Sequence, residues 1–217
     1  MDIIPIEHQK DYKLILDYIN AYKNGVTSDA MYSYGISYKK NYGVSMISLR
    51  SIAERFKCSH AFANLLWKKG WRETYILATM LDDVQVYNIE LLDQRVSESP
   101  TFELLEQLAY NLAWRLDFLD EYFAKTVDRD SQQMHYFLIK CTTYQLMQKT
   151  LSSKSAFERI SKFTFSDNVA ILSVLQNLLL RITNVDNALH AEVVAYCEQY
   201  KSDAWLTLTE VIREYGA

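Results

Sequence analysis

Phe102 and Glu106 are the pair whose types and spacing come nearest to chemistry in this chain. Four positions apart, they share one face of a helix close to its start. An aromatic ring beside a carboxylate is what a developing sugar cation needs. The ring excludes water and packs on the ribose, while the carboxylate opposes the positive charge or orients a water. A core Phe followed by a helix-dipole Glu has the same spacing, so both readings stay open. The second feature is cationic. Lys39, Lys40, Arg50, Lys68, Lys69 and Arg72, with Arg55 and Lys57, put eight bases between residues 38 and 83, among several aromatics. Such a set can grip successive phosphates without reading bases, or simply sit on solvated helix faces. Tyr32, Tyr34, Tyr38 and Tyr42 could fence or stack on a nucleic-acid backbone, or serve as half-buried packing.

Other chemistries find no support. His8, His60, His135 and His190 are scattered, with no His-Glu-x-x-His or Cys-x-x-Cys spacing, so no metal site is expected. Five glycines could hardly build a phosphate loop, no Gly-x-Ser-x-Gly occurs, and no cofactor is expected. Cys58, Cys141 and Cys197 are odd in number and far apart, which fits reduced, mostly buried thiols in a cytoplasmic protein. No run approaches 18 apolar residues and the first residues lack a secretory pattern, so no membrane association is expected.

Net charge is −4, which by itself disfavours a nucleic-acid partner, but the charge is unevenly spread. Residues 1–72 carry eleven bases and six acids, whereas residues 73–130 carry four bases and thirteen acids. A basic end beside an acidic middle can place a phosphate-binding strip on a globally acidic protein. Complementary packing would use the same asymmetry.

The elements that must position these residues are helical. Apolar residues make up 49% of the chain, and with few Gly or Pro they recur at three- and four-residue steps almost throughout. About thirteen helices are expected, joined by short turns, with no strand pattern. Gly25 is expected to end the first helix, Thr27 or Ser28 to cap the second, Ser45 and Ser59 to cap the next two. Tyr34 and Tyr38 are placed on the second helix. Thr101 is expected to cap a helix running through Leu116. Paired helices at roughly 35–40-residue spacing suggest an all-α, α-α superhelix (solenoid) of HEAT-like helical repeats over residues 1–217, a single domain, with a compact helical bundle as the alternative.

Tyr42-Gly43-Val44, Leu49-Arg50-x-Ile52-Ala53, Leu66-Trp67 and Arg72-Glu73 followed by Ala78 resemble the bacterial DNA alkylation repair family, the alkylpurine DNA glycosylases built of HEAT-like repeats. The resemblance is best over residues 30–83 and weaker to about 150. It implies a curved solenoid whose basic concave face holds duplex DNA by its phosphates and excises cationic N3- or N7-alkylated purines, with no cofactor. Its cleft would use an aromatic, an Asp four residues later and an Arg from a later repeat. Here Phe102 stands where Trp is usual and Glu106 where Asp is usual. The segment Ser131 to Lys149, where the Arg is expected, has none. Two readings remain: an alkylpurine glycosylase using Glu106 and Phe102, or a catalytically inactive helical-repeat scaffold that binds DNA or a protein partner.

Overall fold

The structure, a computed structural model, describes residues 4–129 and 131–216, and the described residues contain thirteen α-helices and no strand. The chain forms two compact units, Met1–Leu112 and Ala113–Ala217. The first holds α1 (Ile6–Ala21), α2 (Gly25–Ser33), α3 (Met46–Ala53), α4 (His60–Lys69), α5 (Arg72–Leu81), α6 (Ile89–Glu98) and α7 (Phe102–Asn111). The second holds α8 (Leu119–Thr126), α9 (Gln132–Met147), α10 (Ser153–Ile160), α11 (Val169–Val185), α12 (His190–Cys197) and α13 (Asp203–Tyr215).

Side-chain caps set many of the starts. Ser45 accepts from the Ser48 N–H, Ser59 from Phe62 and Thr101 from Leu104, as their positions before apolar-periodic segments predict. Two early boundaries differ from expectation. Asn24, rather than Thr27 or Ser28, caps α2, and Gly25 is its first residue instead of the end of α1, which closes at Ala21. Asn24 is the stronger cap because its short carboxamide reaches the Thr27 N–H at 3.1 Å. The α2 helix then stops at Ser33 before a left-handed Gly35, which leaves Tyr34 and Tyr38 outside it. The helix begun at Thr101 ends at Asn111 rather than Leu116, because Leu112 leaves helical geometry (φ −135°, ψ −60°) and a 3₁₀ turn follows at Ala113–Arg115. The boundary between the units falls at this break.

Each unit is organised around one central helix, buried nearly all round in the first unit and along one face in the second. In the first it is α5, packed against α3, α4 and α7, with Ile76, Leu77, Ala78 and Leu81 in the core beside Leu49, Leu66, Trp67 and Leu104. In the second it is α11, packed against α9, α10, α12 and α13. Burying each large apolar side chain is worth about 1.5–3 kcal/mol, so these helices hold their units together chiefly by packing.

Candidate nucleic-acid interface

Because α5 is buried, its first two residues cannot be ordinary surface charges. Arg72 is 4% exposed and Glu73 fully buried. The guanidinium of Arg72 donates from Nε and Nη2 to Glu103 on α7, at 2.6 Å for the shortest contact, and from Nη1 to the Val44 carbonyl at 2.9 Å. Burial works against its charge, but the hydrogen bonds and charge of Glu103, aided by Glu73, outweigh it and raise the Arg72 pKa. Glu73 accepts from the Tyr42 and Val44 N–H groups at 3.1–3.2 Å. Gly43 between them has φ +69°, and a Cβ there would lie 2.1 Å from the Asn24 carbonyl oxygen. Arg72 is therefore removed from the phosphate-gripping set, since every nitrogen of its guanidinium is engaged inside the unit. Glu103 also accepts from the Tyr38 hydroxyl at 2.9 Å, and Thr101 donates to that hydroxyl at 2.6 Å. Burial, reinforced by Glu103, pushes the Tyr38 pKa up, so Tyr38 is a neutral packing donor and not a fence for a backbone.

The remaining predicted cations are differently placed. Lys39, Lys40, Arg50 and Lys68 are exposed, and Lys69 is half-buried at the last turn of α4. Among the described residues no carboxylate pairs with any of these five, in contrast to Lys125, which pairs with Glu121 at 2.7 Å. Lys40 and Lys69 are brought to one ring: their ammonium groups lie 4.3 and 4.4 Å from the Trp71 centroid. Lys40 is also 4.6 Å from the Tyr42 ring, which tilts against Trp71 at 5.3 Å. The main chain fixes this meeting, because the Arg72 N–H donates to the Lys40 carbonyl at 2.9 Å. Arg50 stands elsewhere, its guanidinium 5.2 Å from the Tyr110 centroid on α7. Tyr32 and Tyr34 are exposed, at 74% and 84%.

Phe102 and Glu106 are half-buried on α7, and Tyr110 continues their row by one turn. The structure thus sets an aromatic, a carboxylate and a second aromatic along one face, with Arg50 at the far end. In α9, where an Arg would be expected, Met134 through Ile139 are buried. Sequence reading missed Glu103, whose partners Tyr38 and Arg72 lie far away in the chain, and Trp71, whose partners likewise come from separate segments.

His60 and Asp82, 22 residues apart, also meet, with Nδ1 2.8 Å from the carboxylate, and the Tyr87 hydroxyl donates to the same Asp82 at 2.9 Å. No cluster of three or more metal-ligating side chains occurs among the described residues. Cys58 is exposed, contrary to the buried placement expected of the thiols, because it precedes the Ser59 cap on a surface turn. Cys141 and Cys197 are buried, and burial pushes their thiols up, Cys197 to about 12. No described helix is long and apolar enough to cross a membrane.

The regular elements of the described residues are all helical, and the HEAT-like repeat fold expected from the periodicity is the one that a similar solved structure supports. No protein-family model matches the chain, and no curated protein matches it. A solved structure described as "a new family of proteins related to the HEAT-like repeat DNA glycosylases with affinity for branched DNA structures" is similar over 94% of this chain and 95% of its own. The TM-score is 0.70 at 16% identity, which shows a shared fold.

Proposed function

We propose that this chain binds DNA through the phosphate backbone, using Lys39, Lys40, Arg50, Lys68 and Lys69 of its first unit. The observation that carries this reading is that none of the five is neutralised by a carboxylate among the described residues, although acids outnumber bases in the chain. Charges left open in this way favour a polyanion, whose condensed counterions are released on contact. The affinity of the structural neighbour for branched DNA extends the proposal to duplex arms meeting at a branch. Reduced thiols suit action in the cytoplasm. The test is fluorescence anisotropy with a labelled four-way junction and a linear duplex. Binding of either, weakened at least tenfold by a combined Lys40→Glu and Lys69→Glu change, supports the proposal. No binding of either DNA at low salt would point to a protein partner instead.

The row Phe102, Glu106 and Tyr110 favours a second reading, hydrolysis of the N-glycosidic bond of cationic N3- or N7-alkylpurines. Such a base already carries positive charge and leaves readily. Phe102 would pack on the sugar and Glu106 would oppose its oxocarbenium character. Release of 7-methylguanine or 3-methyladenine from methylated DNA, abolished by Glu106→Gln, is the expected sign of an enzyme. DNA binding with no release leaves a non-catalytic repeat scaffold.

A further inference from the structure

Trp71, the residue just before α5, differs from Trp67 of α4 in exposure and in hydrogen bonding. Trp67 is buried, its indole N–H donates to Glu98 at 2.7 Å, and Arg95 stacks on its ring. Trp71 is half-buried, and its indole N–H donates to no described residue. Its backbone alone serves the start of α5, through the Trp71 N–H to the Thr74 hydroxyl and the Thr74 hydroxyl to the Trp71 carbonyl. The ring is thus not needed as a cap. Two ammonium groups that repel each other are nevertheless held against it, one from the segment before α3 and one from the end of α4.

A π surface flanked by two cations matches one chemical unit: an unpaired nucleobase with the phosphates on either side of it. Base stacking on an aromatic is stronger than a solvent-exposed cation–π contact. An arriving base therefore displaces the flexible lysine chains from the ring toward those phosphates, where each ammonium gains a full opposite charge. A fully paired duplex offers phosphates to the same lysines but no base to the ring.

We infer that Trp71, with Lys40 and Lys69, is a stacking site for an unpaired base, such as one splayed out at a branch or bulge. The inference rests on the DNA-binding reading and names the feature of the substrate that the site selects. The experiment compares a linear duplex with the same duplex carrying one unpaired base, titrated with wild type, Trp71→Ala and Trp71→Phe. Trp71→Ala is expected to weaken binding of the bulged DNA by about 5- to 100-fold and that of the duplex less than twofold, with Trp71→Phe between. In the wild-type protein, 2-aminopurine placed at the unpaired position is expected to lose fluorescence on binding, a readout independent of whether the variants fold. Equal losses on both DNAs, or unquenched 2-aminopurine in a bound complex, overturn the inference while leaving phosphate binding intact. Failure of wild type to bind either DNA overturns the DNA-binding reading itself.

Discussion

At the scale of single residues, Arg72 and Lys69 have similar charge, lie three positions apart and have opposite fates. Arg72 turns inward and ties α5 to α7 through Glu103 and to the Tyr42–Val44 turn through Val44. Removing it leaves Glu73 and Glu103 without their buried counter-ion, so Arg72→Ala is expected to cost about 3–5 kcal/mol in urea unfolding. Lys68→Ala, at an exposed position without an ion pair, is expected to change stability by less than about 0.5 kcal/mol. Gly43→Ala combines a left-handed backbone with a Cβ placed against the Asn24 carbonyl, so a loss of about 1–3 kcal/mol or more is expected in the same measurement. Of the residues that carried the resemblance, Tyr42-Gly43-Val44 and Arg72-Glu73 belong to this one network. They hold the first unit together, which explains why they foretold the fold, whereas Phe102 and Glu106 lie outside this network.

At the scale of elements, the caps were legible because a Ser or Thr before an apolar-periodic run has one local job. Ser45, Ser59 and Thr101 perform it. What local pattern could not show is where a helix yields to its surroundings. The break at Leu112 and the release of Tyr34 and Tyr38 from α2 are set by packing and by Gly35, not by propensity. Nor could it show partners from distant segments, such as Tyr38 with Glu103 or Lys40 with Trp71. Thr101 joins both kinds of information, since it caps α7 and donates to Tyr38. Thr101→Ala is therefore expected to destabilise by about 1–3 kcal/mol, more than the ~1 kcal/mol of a cap alone, whereas Thr101→Ser retains most of the stability. Thermal unfolding of the pair distinguishes the two roles.

For the whole molecule, burial has raised several groups that titrate in alkali. An unfolded thiol releases its proton near 9.0, but Cys197 holds its proton to about 12, and Cys141 is raised too. Tyr38, Tyr87 and Tyr196 are raised above an unfolded value of 10.0, chiefly by burial. Above those unfolded values the native state binds more protons than the unfolded state, so stability falls as pH rises. Stability from these groups is complete below about pH 9 and is expected to decline progressively from there, with the melting temperature dropping between pH 9 and 11.

The central claim is that open cations of the first unit hold DNA by its phosphates, and the salt dependence of binding tests it most directly. Each neutralised phosphate contributes about 0.9 to the slope of log Kobs against log salt. A slope of roughly −3 to −5 is expected for wild type, reduced by about 1 for each of Lys39, Lys40, Arg50, Lys68 or Lys69 changed to Gln. A slope near zero, or one that Arg72→Met lowers but the changes at these five positions do not, would contradict the account.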